Sequence, residues 1–158
     1  MQILKFFGPV SLLLTFSGGL MAGPHTFVWD AKNSFISFDM NEVTVTGGQI
    51  DGVYKVTQST SEILEEGSVL NKRCVFFIEE KPEGVDSIGR CEVKDSSGDE
   101  FYTVIRRTRG NLTDGGLGEM EILGGTGRYE TFKTKCSYRE TFFPEDPKRV
   151  EAVGSCGS

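Results

Sequence analysis

The sequence predicts an all-β fold: a single antiparallel β-barrel of about eight strands, held by two disulfides. Short segments rich in Val, Ile, Phe, Tyr and Thr alternate with Gly, Pro, Asp, Asn and Ser after residue 22. No stretch between them carries the apolar spacing of a helix, which disfavours a parallel sheet with crossover helices. A closed barrel is favoured over a sandwich because it leaves no edge strand exposed.

Residues 1–22 have a pattern that is typical of a secretory signal peptide. Lys5 gives a positive start, residues 6–16 form an apolar run, and small residues precede Ala22. The run is shorter than the ~20 residues that a bilayer-spanning helix needs. Cleavage after Ala22, or alternatively after Gly19, would leave one domain, residues 23–158. We therefore expect a secreted or periplasmic protein in which cysteines can pair.

The domain contains ten candidate strands and one segment that could be helical. Apolar and polar residues alternate clearly in 43–46 and 119–122, which indicates strands with one dry and one wet face. In 59–70 three apolar residues lie among glutamates, so a helix stays an alternative there. The candidate strands are 26–30, 34–39, 42–46, 52–58, 73–80, 89–94, 100–108, 117–123, 128–143 (which could be broken) and 149–155.

The four cysteines predict two hairpin disulfides, Cys74–Cys91 and Cys136–Cys156. Residues paired across a hairpin have numbers that add to a constant, so each pair defines a centre. The first centre falls in 81–84, where Pro is followed by Gly, and the second in the turn-like segment 144–147. Directly opposed antiparallel residues lie within disulfide reach. A pairing of Cys91 with Cys136 is the alternative.

The charge of the chain argues against nucleic acid as a partner. The formal net charge is −6 at pH 7, so binding to phosphates would gain nothing from counterion release. The basic residues in 106–109 are interpreted as a strand end flanked by acidic neighbours. No second apolar segment could insert into a membrane. Asn111 begins an Asn-Leu-Thr sequon and would be a glycosylation site in a eukaryotic source.

The residue types in this chain offer little support for a catalytic site or a metal site. His25 is the only histidine, and it would lie beside the mature N-terminus, so no Ser-His-Asp or Cys-His arrangement is available. The cysteine spacings contain no CxxC pair, which disfavours zinc. Segment 95–100 is predicted to be a hairpin turn rather than a calcium loop. We expect no catalytic residue, no metal and no cofactor.

The densest glycine cluster, formed by Gly124, Gly125 and Gly127, predicts a tight bend between two strands. Residues 124–130 resemble the GGTGxY/F turn of the allene oxide cyclase and dirigent barrel superfamily. Segment 91–99 is similar to a D-x-x-G-D hairpin in secreted members, and the resemblance covers about 89–130. It implies an eight-stranded antiparallel barrel with a mostly apolar interior cavity. It identifies no catalytic position in this chain.

The interior of such a barrel should receive one alternating set of side chains from each strand. A filled core and a ligand pocket give the same sequence pattern, and a filled core is favoured. Segment 73–78 is apolar on both faces, so a second layer or a second subunit should cover it. The residues predicted to line the interior are Val75, Phe77, Tyr102, Val104, Met120, Ile122 and Tyr129.

The expected function is that of a secreted, non-catalytic barrel that binds a small apolar ligand or a protein partner, including a second copy of the chain. One alternative is a dirigent- or cyclase-like enzyme that steers a reactive intermediate. Another is a secreted inhibitor or host-interaction protein. A cavity lined by Tyr or Arg with a buried carboxylate would favour the enzyme. A packed interior with an apolar outer patch around Phe76 would favour partner binding.

Overall fold

A computed structural model describes residues 24–143, 145–146 and 149–157; the predicted signal peptide and both candidate cleavage sites lie outside them. The all-β prediction is confirmed, because this part of the chain forms eight strands and one short 3₁₀ helix, Gly127–Tyr129. The strands are β1 (Pro24–Met40), β2 (Val43–Gln58), β3 (Val69–Lys81), β4 (Gly84–Lys94), β5 (Glu100–Asn111), β6 (Gly115–Gly125), β7 (Lys133–Phe142) and β8 (Arg149–Gly157).

Every strand pairs antiparallel with the next strand along the chain. β8 also pairs with β1, from Ser155 opposite Pro24 to Arg149 opposite Asp30, so the order of pairing returns to its first strand. Consecutive hairpins therefore place the β2–β3, β4–β5 and β6–β7 connections at one end of the sheet. The other four connections lie at the opposite end.

The ten candidate strands are merged into eight. Segments 26–30 and 34–39 are both parts of β1, and 42–46 and 52–58 are both parts of β2. The glycines of 47–52 do not interrupt β2, because both of its neighbours continue to pair with it there. Candidate 128–143 is broken, as the sequence left open, by the 3₁₀ helix that precedes β7.

The segment 59–68 is an irregular loop, so the helical alternative for 59–70 is wrong. The Ser61 hydroxyl oxygen accepts the backbone N–H groups of Ile63 and Leu64, which turns the chain locally. The Gly67 N–H donates to the Val56 carbonyl and returns the chain to β3. Leu64 is only 1% exposed. The loop is therefore held by burial of one apolar side chain rather than by helical hydrogen bonds.

Both predicted disulfides are present, and each joins directly opposed residues of one hairpin. Cys74 pairs with Cys91 across β3 and β4, with their Cα atoms 4.1 Å apart. Cys136 pairs with Cys156 across β7 and β8, with their Cα atoms 3.9 Å apart. The register is the one that the two hairpin centres predicted, and all four cysteines are buried on the inner face of the sheet.

Aromatic side chains fill the end of the sheet where the β6–β7 connection lies. The ring of Phe101 lies 4.9 Å from that of Tyr129 and 6.1 Å from that of Phe132, centroid to centroid. All three side chains are buried, and Leu64 belongs to the same cluster. This cluster closes the apolar core at one end.

A hydrogen-bond network around Asp95 joins the β4–β5 turn to the glycine-rich bend, which the structure places at 124–127 as predicted. The Asp95 carboxylate accepts the Ser97 N–H and the Tyr129 hydroxyl, at 2.8 and 3.1 Å. Arg128 donates its backbone N–H to the Asp99 carboxylate, at 3.1 Å. Desolvation by itself would raise the pKa of Asp95, but its hydrogen bonds outweigh that effect and lower it.

Candidate ligand cavity

The inner face of the sheet encloses a cavity of about 600 Å³, where the sequence analysis favoured a filled core. It extends from Leu64 and Phe101 at the aromatic end to Leu112 and Phe143 at the opposite end. Its walls are mostly apolar. The polar and charged side chains in the lining belong to Ser37, Thr46, Lys72, Ser87, Thr103, Arg107, Thr113, Tyr138 and Glu140. The volume falls within the ~300–1,000 Å³ typical of small-molecule sites.

The interior stays unfilled partly because aromatic rings lie flat against its wall. Three inward glycines face aromatic residues across a strand pair: Gly48 faces Phe35, Gly89 faces Phe76, and Gly118 faces Tyr138. A Cβ added at any of these glycines would collide with the opposing ring. The rings thus occupy the space that a larger residue would take, and they cover the sheet without crossing the cavity.

The predicted lining residues divide between the two faces of the sheet. Met120 and Ile122 line the cavity as predicted. Tyr129 is buried in the aromatic cluster instead.

Phe77 and Tyr102 lie on the outer face, 48% and 40% exposed, and so do Val75 and Val104. Placing these four inside was wrong, because the inner set of each strand is the alternate one, with Phe76, Thr103 and Ile105 lining the cavity. Successive side chains of a strand point to opposite faces of the sheet. An inward set that is chosen one residue out of step therefore places every one of its side chains on the outer face.

An ion pair inside the cavity joins Arg107 of β5 to Glu140 of β7. The Arg107 Nη1 lies 2.8 Å from Glu140 Oε2, and the arginine side chain is only 4% exposed. The guanidinium also lies over the Phe142 ring, 5.2 Å from its centroid. Desolvation raises the pKa of Glu140, against the opposing attraction of Arg107 and Lys72. The pair is therefore a buried charge pair held in one orientation.

Lys72 of β3 brings a third charge into the same cavity. The residue is 8% exposed. Burial lowers the pKa of Lys72 from 10.5 to about 7, and the nearby charge of Glu140 offsets part of that effect. Near neutral pH the protonated and the neutral form of the Lys72 amine are therefore both populated.

Further polar groups line the cavity around these charges. Burial raises the pKa of Tyr138 well above its ordinary value, which keeps its hydroxyl protonated. Among the described residues, the buried Thr103 Oγ1 and Arg107 Nε have no hydrogen-bond partner. Unpaired buried polar groups are rare and costly in folded proteins. Both belong to residues that line the cavity.

The sequence analysis missed Lys72, Arg107 and Glu140 as site residues. Residue 107 was interpreted as part of a basic strand end flanked by acidic neighbours; Arg106 and Arg109 are exposed, but Arg107 points inward. The positions of the cysteines in the sequence could have identified two of these residues. Lys72 lies two residues from Cys74 and Glu140 lies four from Cys136, so each shares a face with a disulfide. That signal identifies the cavity only once the disulfides are known to face inward.

Asn111 forms the turn at the end of the cavity opposite the aromatic cluster. Its side-chain oxygen accepts the N–H groups of Thr113 and Asp114, at 2.8 and 2.6 Å. Its amide nitrogen donates to the Asp114 carboxylate, at 3.0 Å. The turn places Leu112 and Thr113 against the cavity. Glycosylation of Asn111 stays a prediction.

A scan against protein-family models finds no match, and searches of curated proteins and of solved structures give none either. Within the described residues, no helix is long and apolar enough to cross a membrane. The same part of the chain contains no group of three or more His, Cys, Asp or Glu side chains placed to hold a metal ion. Within the described residues, the cavity is the feature that points to a function.

Proposed function

We propose that this protein is a secreted β-barrel that binds a small, largely apolar molecule in its interior. The cavity of about 600 Å³, with a mostly apolar lining, is the observation that carries the proposal. The pairing of β8 with β1 supports closure of the sheet around it. The resemblance of residues 124–130 to the turn of allene oxide cyclase and dirigent barrels implies the same architecture.

Export is part of the proposal, and the two disulfides support it. Disulfides persist in oxidising compartments and are rare in the cytosol. Both bridges here are buried in the wall of the sheet. A leader of the signal-peptide type at residues 1–22 would deliver the chain to such a compartment.

A titration with a neutral apolar fluorophore, N-phenyl-1-naphthylamine, tests the proposal. We expect saturable enhancement of its fluorescence by the protein. Met120→Trp should abolish it because the indole would occupy the cavity, whereas Leu123→Trp, on the outer face of the same strand, should leave it unchanged. Equal binding by both variants, or no binding by the unsubstituted protein, would overturn the proposal.

A dirigent- or cyclase-like enzyme is the second candidate, and a specific observation favours it. Arg107, Tyr138 and the partly buried carboxylate of Glu140 line one mostly apolar cavity, which is close to the combination expected of that alternative. Such a site would confine a reactive intermediate between fixed polar groups. A change in the isomer ratio of a spontaneous cyclisation or coupling on adding the protein, lost in Glu140→Gln, would support it. The partner-binding alternative has one of its two expected signs. The interior is unfilled and Phe76 faces inward, but its neighbours Val75 and Phe77 are exposed apolar residues on the outer face.

A further inference from the structure

We propose that the free edge of β1, over residues 34–40, pairs with an extended basic segment of a partner protein, which adds a strand to the sheet there. The proposal concerns the outside of the sheet and does not depend on the cavity or on its ligand. Three features carry it: an edge that no strand covers within the described residues, exposed apolar side chains along that edge, and a local excess of carboxylates.

The first feature is the length of β1 beyond its pairing with β8. β8 pairs with β1 from Pro24 to Asp30, whereas β2 pairs with β1 as far as Met40. Beyond Asp30, β1 therefore has a neighbouring strand on one side alone among the described residues. The unpaired N–H and C=O groups of an edge strand are a template for another chain. Proline, lysine or a bulge often protects such an edge, and residues 34–40 have none of the three.

The second feature is the apolar surface beside this edge. Ile36, Phe38 and Met40 are 78%, 54% and 58% exposed. They alternate with Phe35 and Ser37, which line the cavity, so they project from the outer face. Large neighbouring apolar side chains on a protein surface mark interaction sites. A strand added at the edge would place every second side chain beside these three residues, on the same face.

The third feature is the charge at this end of the sheet. Segments 36–46 and 77–88, which contain the β1–β2 and β3–β4 turns, carry six carboxylates and a single cation, Lys81. The Lys81 Nζ lies 2.8 Å from Glu79 Oε2. This contact and the charges of two further carboxylates nearby raise the pKa of Lys81. One cation is thus shared among three carboxylates, and this end of the sheet stays acidic.

The acidic charge decides which partner fits the edge. Asp39, Thr44 and Glu80 follow one another in a single row across β1, β2 and β3. A basic side chain opposite Asp39 would therefore extend a row that already contains two carboxylates. A second copy of this chain would bring another acidic end against the first, which opposes self-association. Nucleic acid and anionic lipid are disfavoured for the same reason. An extended basic segment suits both the free backbone groups and the charge.

The experiment titrates the protein into a labelled peptide, Lys-Val-Lys-Val-Lys-Val-Lys with blocked ends, and measures fluorescence anisotropy at low ionic strength. We expect saturable binding. A peptide with Glu in place of Lys should bind at least tenfold more weakly. The Lys-Val peptide N-methylated on all its backbone amides should be weakened equally, because it keeps the charge and loses the donors. Amide hydrogen exchange should slow in residues 34–40 when the unmethylated Lys-Val peptide binds.

Two pairs of matched variants test the apolar and the charged parts of this surface. Phe38→Ser should weaken binding of the Lys-Val peptide about fivefold, whereas Val153→Ser, at an exposed apolar residue of β8, should change it less than twofold. Glu42→Lys, beside the β1–β2 turn, should weaken it several-fold. Glu66→Lys is the control for that charge, because it is also exposed but lies at the opposite end of the sheet. Circular dichroism checks that each variant folds.

The inference is overturned if the Lys-Val peptide does not bind, if its N-methylated form binds equally well, or if exchange slows elsewhere and not in residues 34–40. It is also overturned if the protein alone forms a dimer that protects these residues, because a second copy then occupies the edge. Binding of the neutral fluorophore in the cavity is independent of these outcomes. The proposed function therefore stands or fails separately.

Discussion

Lys72 shows how one buried charge can link stability to pH. Its side chain leaves water for the cavity, and the charge of Glu140 offsets only part of the desolvation. The folded protein therefore bears a desolvation cost whenever Lys72 is protonated. Natural sequences retain such costs most often at functional sites, where a perturbed pKa serves binding or chemistry.

Replacing Lys72 by Met should stabilise the protein, and most strongly at low pH. The folded pKa of about 7 lies below the ordinary value of 10.5, so between these values the unfolded state binds more protons. The cost is therefore complete below pH 7 and is relieved as pH rises towards 10.5. Urea unfolding at pH 6 should show a gain of at least about 1 kcal/mol, since each pKa unit corresponds to ~1.4 kcal/mol.

At pH 10 the gain should be much smaller than at pH 6. Lys55→Met is the matched control, because it makes the same substitution at an exposed position. A Lys72→Met curve that runs parallel to that of the unsubstituted protein from pH 6 to 10 would contradict the buried-charge account.

At the scale of the elements, the pairing of strands explains how the cavity stays unfilled. Aromatic rings on β1, β3 and β7 lie over glycines of the neighbouring strands. A glycine in a strand interior usually weakens it, because it has no side chain to pack. Here the opposing ring covers the glycine, as in the aromatic rescue of glycines in β-sheets. The geometry of these pairs thus determines both local packing and cavity volume.

Gly89→Ala should reduce the volume of the cavity without preventing folding. The backbone of Gly89 does not have positive φ, so alanine fits its conformation, but the new methyl group would collide with the Phe76 ring. The ring must then tilt inward. We expect the affinity for the neutral fluorophore to fall several-fold and to recover in the double variant Gly89→Ala/Phe76→Leu.

Gly47→Ala is the control for this substitution, because a Cβ at Gly47 meets nothing closer than 4.0 Å and its φ is also ordinary. Fluorophore binding should be unchanged in that variant. Equal loss in the two single variants would show that the effect is general weakening of the strands and not a displaced ring.

For the whole molecule, the two disulfides bind neighbouring strands at two places in the sheet. The first joins β3 to β4 and the second joins β7 to β8. Their sequence separations are 17 and 20 residues. In the chain-entropy model, loops of this length contribute about 3 kcal/mol each by restricting the unfolded chain. The bridges thus add stability that does not depend on filling the interior.

Removal of the Cys74–Cys91 bridge in the variant Cys74→Ala/Cys91→Ala should lower the free energy of unfolding by about 3 kcal/mol. Urea unfolding at neutral pH measures the difference, and the variant Cys136→Ala/Cys156→Ala should show a loss of similar size. A loss below ~1 kcal/mol in both would mean that the unfolded chain is already constrained at these hairpins.

The sequence by itself determined the all-β class, the positions of the β3–β4 and β7–β8 turns, and both disulfides. These depend on local causes, namely turn residues and the constant sum of paired residue numbers in a hairpin. Only the tertiary structure decided which face of each strand points inward. Phe77 and Tyr102 were placed on the wrong face because both faces of their strands carry apolar residues.

The cavity and its charges were likewise decided only by the tertiary structure. Lys72, Arg107 and Glu140 lie on three strands that are far apart in sequence, and nothing local in the chain brings them together. Whether aromatic residues fill an interior or lie against its wall depends on which glycine faces each ring, and therefore on strand register. The inward direction of each strand, and the register outside the two disulfide hairpins, are properties of the assembled sheet, which is why the candidate site became visible only there.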